Sequence, residues 1–164
     1  MTDRELMAAA LELAKEAAAA GEVPVGCVIA RNGQIVATGR NRREKDKTAL
    51  GHGEIEAISN ACKALGGWRL WDCTLYVTLE PCPMCAGAII NARIPRVVYG
   101  ASDAKCGACG SVCDLFSMEF NHHPQVEWGV REEEAALLLQ EFFRDLRVTL
   151  RSRPKWKRPT NTDG

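Results

Sequence analysis

The chain has 164 residues, with 21 lysines and arginines matched by 21 aspartates and glutamates, and 46% of it is hydrophobic. This length suits one domain with a substantial core, zero net charge argues against indiscriminate coating of nucleic acid or membranes, and the composition argues against disorder. No apolar run approaches the ~20 residues that cross a bilayer, and Met1-Thr2-Asp3-Arg4-Glu5 has no charged-then-apolar signal pattern. A cytosolic, hence cytoplasmic, location is expected. There the eight cysteines read as metal ligands, reactive thiols or small core residues before they read as disulfides.

The first element is a helix capped by Thr2 with Glu5 reaching back, its apolar face running through Leu6, Ala9, Leu13 and Ala17, and stopped by Gly21. Val25 to Ala30 and Gln34 to Thr38 are β-prone runs joined by Asn32-Gly33, a strong tight-turn signal, so they form a hairpin. Arg40 to Leu50 is charged and reads as a surface loop. A helix begins near His52 or Gly53 and ends at Gly66-Gly67. Thr74 to Thr78 is a strand, and Pro81 and Pro83 punctuate the start of a helix that carries Ala86 to Asn91. Arg96 to Tyr99 is a strand, Lys105 to Gly110 a loop, Val112 to Met118 a short helix, and Gln125 to Trp128 a strand. A long amphipathic helix runs from Arg131 to about Arg151, with Ala135, Leu138, Leu139, Phe142 and Leu146 on its apolar side. The order predicts an α/β fold with a mixed sheet and helices on both faces. One domain spans residues 1–151, and a basic tail over residues 152–164 is expected to be mobile.

The chemistry concentrates in His52-Gly53-Glu54 and Pro81-Cys82-Pro83-Met84-Cys85. A lone Cys-x-x-Cys is weak evidence. This one opens a helix directly after a strand, where free N–H groups and the helix dipole stabilise thiolates. His52 also stands at a helix start. Two such termini facing each other bring His52, Cys82 and Cys85 onto one ion, and three protein ligands leave the fourth tetrahedral position for water, the catalytic form of a zinc site. Zinc lowers the pKa of that water, and Glu54 is placed to move protons without binding metal. His-x-Glu followed by Pro-Cys-x-x-Cys is a known pattern of zinc-dependent base deaminases. A competing reading pairs Cys82 and Cys85 with Cys106 and Cys109 as a structural four-cysteine site. Against it, Ala86 to Gly100 reads as a whole helix plus strand rather than a short hairpin. Cys106 and Cys109 then read as loop thiols beside the active site, and Cys27, Cys62, Cys73 and Cys113 as packed residues.

Several longer segments carry a family resemblance: Gly21-Glu22-Val23-Pro24-Val25-Gly26, Thr78-Leu79-Glu80-Pro81-Cys82-Pro83-Met84-Cys85-Ala86-Gly87-Ala88, Arg93 to Gly100 followed by Asp103-Ala104-Lys105, Asn121-His122 and Phe142-Phe143-Arg144. On these the chain resembles the bacterial tRNA-specific adenosine deaminase family, within the cytidine-deaminase-like superfamily. The resemblance implies a three-layer α/β/α sandwich around a five-stranded mixed sheet, a homodimer, and conversion of adenosine to inosine at the wobble position of a tRNA anticodon. It implies one zinc ion on His52, Cys82 and Cys85, Glu54 as proton shuttle, and Asn41 on the purine edge. It also implies substrate contacts from Val25, Gly53, Asp103, Lys105, Asn121, His122, Phe143 and Arg144. Two departures stand out: Gly53 replaces the family's usual alanine, and two thiols, Cys106 and Cys109, occupy the substrate loop.

An anticodon loop already offers unstacked bases to such a pocket. Arg40, Arg42, Arg43, Lys45 and Lys47 precede the histidine, and Arg144, Arg147, Arg151, Arg153, Lys155, Lys157 and Arg158 crowd the C-terminus, so two basic clusters are expected to grip phosphates. Phe143 beside Arg144 is a candidate base-stacking group. Trp68, Trp71 and Trp128 read as packing or interface residues. Two other functions fit the same pattern less fully. A deaminase of free bases or nucleosides needs no extended RNA grip, and a non-catalytic zinc-stabilised RNA-binding module needs no Glu54.

Overall fold

The structure is a computed structural model that describes residues 1–152 and 159. The tail expected over 152–164 otherwise lies outside the described residues, as do Arg153, Lys155, Lys157 and Arg158 of the second basic cluster.

Helix α1 (Asp3–Ala19) opens with a full capping box: the Thr2 hydroxyl accepts the Glu5 N–H and the Glu5 carboxylate accepts the Thr2 N–H. Its buried face is Leu6, Met7, Ala10, Leu11, Ala14 and Ala17, rotated from the expected stripe so that Ala9 and Leu13 are only half-buried. Strands β1 (Gly26–Arg31) and β2 (Gln34–Arg40) form the expected hairpin, with Asn32 and Gly33 both at positive φ, 52° and 72°. The charged segment that follows contains one short helix, α2 (Arg43–Asp46). Helix α3 (Gly53–Leu65) starts at His52 and ends on Gly66 in the left-handed region. Strand β3 (Cys73–Leu79), helix α4 (Pro83–Asn91), strand β4 (Arg96–Ala101), strand β5 (Gln125–Trp128) and helix α5 (Glu132–Arg151) complete the fold. The short helix expected over Val112 to Met118 is a single 3-10 turn, Leu115–Ser117.

The five strands form one sheet in the order β2-β1-β3-β4-β5. β1 runs antiparallel to both neighbours, whereas β3, β4 and β5 run parallel. Each face buries its own core. Cys27, Ile29, Leu75, Val77 and Val97 pack under α3 and α4, while Val28, Tyr76 and Val98 pack under α1 and α5. This is the three-layer α/β/α sandwich with a mixed sheet that the resemblance implied. Among the described residues no helix is long and apolar enough to cross a membrane.

Two packing expectations are corrected. Cys27 and Cys73 are buried and Cys62 half-buried, but Cys113 is exposed: of the β4–β5 crossover it is Ala108, Cys109 and Phe116 that pack into the core. Trp68, Trp71 and Trp128 do not pack in the core of the chain, which leaves the interface reading of these residues. They are 50%, 58% and 66% exposed, and Trp68 is instead covered by the guanidinium of Arg69, 4.1 Å from the ring centroid.

Candidate active site

The site forms where two helices begin at the same end of the sheet. His52 is the N-cap of α3, and Cys82 is the N-cap of α4 with Pro83 fixing the first turn. Cys85 sits in that first turn and is buried. The His52 Nδ1 atom lies 3.5 Å from Cys82 Sγ and 3.4 Å from Cys85 Sγ. These three donors are the one group of metal-ligating side chains that converges among the described residues, all within 4.8 Å of one another. Cys106 and Cys109 do not join them, so the four-cysteine reading is not supported.

The electrostatics fit a dication. Hydrogen bonding from Cys85, reinforced by His52 and the Cys85 N–H at the helix start, lowers the Cys82 thiol to about 4. The Cys85 thiol is pushed well up by its hydrogen bond to Cys82, by burial and by Glu54. An imidazole and two sulfurs at tetrahedral spacing suit zinc, whose charge deprotonates a coordinating thiol outright. Glu54 is buried in the first turn of α3, two residues from His52. Burial pushes its carboxyl above the ordinary range, opposed by its own N–H and by Cys85. A carboxyl so placed holds a proton more readily than a solvated one.

Asn41, at the end of β2, is buried, and its Oδ1 accepts the Gly53 N–H at 2.9 Å. This caps α3 from outside and leaves the Asn41 amide nitrogen without a hydrogen bond among the described residues. Gly53 is packed against β2. A Cβ there would lie 3.2 Å from Arg40 Cα and 3.3 Å from the Gly39 carbonyl oxygen, so the departure to glycine suits a close helix–strand approach. Val25 is buried, and its carbonyl accepts the Asn41 N–H. A cavity of ≈ 440 Å³ beside Asn41 is walled by Glu22, Val23, Arg43, Phe142 and Leu146. A second, of ≈ 370 Å³, lies beside His52 against Arg42, Leu50 and Glu56.

The remaining expected residues fall in three places. Asp103 and Lys105 lie just beyond the end of β4, in the crossover tied to the strand that leads to Cys82. Phe143 is 41% exposed and meets the Phe142 ring edge-on at 5.4 Å, but it is Phe142 that walls the larger cavity. Arg144 is exposed on the same helix. Asn121 and His122 are not brought to the site of their own chain. The His122 ring is hydrogen-bonded to the Ile94 carbonyl, 2.7 Å away, before β4 begins, whereas Cys82 follows the end of the parallel strand β3. They therefore lie at opposite ends of the sheet.

Two buried carboxylates were missed by sequence reasoning. Glu22 accepts the N–H groups of Glu44 and Lys45 (3.0 and 2.9 Å) and so anchors the basic segment before His52. Glu80 does the same for the loop after β4. The one available signal was an acid inside an otherwise apolar segment.

A sheet of this topology with an imidazole, two thiols and a buried glutamate at paired helix starts is the arrangement of a base deaminase, and the MafB19-like deaminase family matches residues 1–147. The tRNA-specific adenosine deaminase of Bacillus subtilis (strain 168) is 50% identical over 149 residues, covering 90% of this chain and 92% of that one. The chain belongs to the tRNA-specific adenosine deaminases. A solved structure described as part of biochemical and structural studies of A-to-I editing by tRNA:A34 deaminases at the wobble position of transfer RNA superposes with a TM-score of 0.80 at 45% identity, covering 82% of this chain and 99% of that one. The guanine deaminase of Bacillus subtilis superposes less closely, with a TM-score of 0.62 at 31% identity over 96% of this chain and 99% of that one.

Proposed function

We propose that this chain converts adenosine to inosine at the wobble position of a tRNA anticodon, releasing ammonia, as a zinc-dependent cytoplasmic homodimer. The observation that carries the chemistry is the convergence of His52, Cys82 and Cys85 beside the buried Glu54. What favours tRNA over a free base is 50% identity to a tRNA-specific deaminase against 31% to a guanine deaminase.

His52, Cys82 and Cys85 would hold the zinc, which when bound supplies a Lewis acid that lowers the pKa of a water at neutral pH. Glu54 carries the protons. Its carboxylate takes a proton from the attacking water and delivers it to N1 of the adenine ring as the oxygen adds to C6, then takes the proton of the resulting C6 hydroxyl and delivers it to the departing amino group, so that water adds, ammonia leaves and Glu54 is regenerated. One buried group serves both transfers because both atoms belong to one ring edge. Asn41, with its oxygen engaged by Gly53, offers amide N–H donors to the purine. Asp103, Lys105, Phe142, Phe143 and Arg144 bind the nucleotides around the flipped base. Asn121 and His122 reach RNA only away from their own chain's pocket, consistent with a contribution across a dimer.

The test offers the protein an anticodon stem-loop with adenosine at the wobble position and, separately, free adenosine, cytosine and guanine. Inosine formation in the stem-loop alone is expected. Turnover of the free bases alone overturns the tRNA reading. Glu54→Ala should keep one zinc per chain yet lose about 10²–10⁴-fold in kcat, and near-normal activity would overturn the proton-transfer role.

A further inference from the structure

Glu80 stands between the end of β3 and the ligand Cys82, and it is 2% exposed. Both of its oxygens are spent on one loop. Oε1 accepts the Asp103 N–H at 3.1 Å and the Ser111 hydroxyl. Oε2 accepts the Cys109 N–H at 3.0 Å and the Ser111 N–H at 3.2 Å. The backbone adds two ties: the Glu80 N–H donates to the Ala101 carbonyl and the Ala108 N–H to the Pro81 carbonyl, each at 2.8 Å. Gly107 lies directly against the carboxylate. A Cβ there would overlap Glu80 and come within 2.6 Å of the Asp103 carbonyl oxygen.

That loop carries Asp103 and Lys105 on its outer side. Asp103 Oδ1 accepts the N–H groups of Lys105 (3.0 Å) and Cys106 (3.2 Å), which turns the chain sharply there. Lys105 is exposed and Asp103 half-buried. A single carboxylate therefore joins the segment that ends in a metal ligand to the loop that meets the RNA. The hydrogen bonds of the Glu80 carboxylate all go to this loop, and none goes to His52, Cys82 or Cys85.

We propose that Glu80 is a positioning residue for the RNA: by holding residues 102–111 against the Cys82 segment, it sets where Asp103 and Lys105 meet the nucleotides beside the reacting base. This rests on the tRNA reading given above. Replacing one of these oxygens by an amide nitrogen turns an acceptor into a donor facing N–H groups of the loop, and the loop loses its fixed distance from the pocket. Binding of the flanking nucleotides then weakens while the proton chemistry at Glu54 is untouched.

The experiment compares steady-state kinetics of the zinc-loaded full chain and Glu80→Gln on the wobble-adenosine stem-loop, in the native background and in an Asp103→Ala/Lys105→Ala background, with zinc content measured for each. Glu80→Gln is expected to raise KM roughly tenfold, the loss of about one charge-assisted hydrogen bond, with kcat within about twofold and zinc retained. In the doubly substituted background it should add little, because its route to the RNA is gone. An unchanged KM, an equal KM rise in both backgrounds, or a fall in kcat with loss of zinc each overturns the proposal. The last result would mean that Glu80 serves Cys82 instead. If Glu80→Gln does not fold, Ser111→Ala removes one partner alone and should raise KM more modestly with kcat unchanged; an unmoved KM there overturns the proposal too. If the native chain itself does not turn over the stem-loop, it is the tRNA reading that fails; a native chain that turns it over beside a Glu80 variant of unchanged KM leaves that reading standing.

Discussion

Asp3→Ala tests how the N-terminal helix is fastened to the sheet. The Asp3 carboxylate accepts Arg96 at both oxygens, 3.0 Å from Nη1 and 2.6 Å from Nη2, and also accepts the Tyr76 hydroxyl at 2.6 Å. Arg96 also pairs with Glu127 at 2.8 Å and donates to the Tyr76 oxygen at 3.2 Å, so it keeps partners when Asp3 is removed. Charge-assisted bonds contribute about 1.5–3 kcal/mol when well enclosed. The side chains of Arg96 and Asp3 are 27% and 37% exposed, however, so solvent screening removes much of that. Loss of the bidentate pair and the tyrosine bond should therefore cost about 1–2 kcal/mol. The acid in the first turn of α1 adds roughly 0.3–1 kcal/mol from the helix dipole. For a chain of this length the sum lowers Tm by roughly 3–12 °C. The sign with pH follows from linkage. The Arg96 hydrogen bond is the main cause holding the Asp3 carboxyl below its ordinary value. Its contribution is full above the unfolded pKa of about 4 and disappears as pH falls through the lower folded value. Urea unfolding of native and variant chains, from pH 7 down to pH ~2.5, measures the gap between them. A gap under about 0.5 kcal/mol at pH 7, within the range of an ordinary surface substitution, or one that persists undiminished in acid, would refute the reasoning.

Three further outcomes are expected. Gly39→Ala should destabilise by about 2–3 kcal/mol or more, read by urea unfolding, because its Cβ would strike the Gly53 carbonyl oxygen and lie 2.6 Å from the Ala57 nitrogen, both backbone. Stem-loop affinity should fall with salt at a slope up to about −3.5 if Arg40, Arg42, Arg43, Lys45 and Lys47 each neutralise one phosphate, at roughly 0.7 per phosphate; the Arg42–Glu56 pair at 2.7 Å reduces that slope, and a flat titration excludes phosphate gripping. Cys106→Ser/Cys109→Ser should retain one zinc per chain by elemental analysis, since neither thiol joins the converging donors; loss of the metal would restore the four-cysteine reading.

Local rules made much of the fold legible. The Thr2–Glu5 capping box, the Asn32-Gly33 turn, the glycines that end α1 and α3 and the proline that opens α4 act within a few residues, so the sequence by itself determined those elements and their order. It also determined the reactive set of His52, Glu54, Cys82 and Cys85, because metal-ligand chemistry leaves a spacing in the chain. What only the tertiary structure decided depends on distant partners. The face of α1 that is buried is set by the close approach of Gly26 to Ala10 and Ala14. His122 went to the far end of the sheet because its ring found the Ile94 carbonyl. Phe142 rather than Phe143 walls the cavity because the rotation of α5 is fixed by its N-terminal packing on β4. Glu22 and Glu80 show the reason most clearly. A buried carboxylate must find donors, and theirs are backbone N–H groups 22 to 31 residues away, which any sequence supplies and only the closed fold brings within reach.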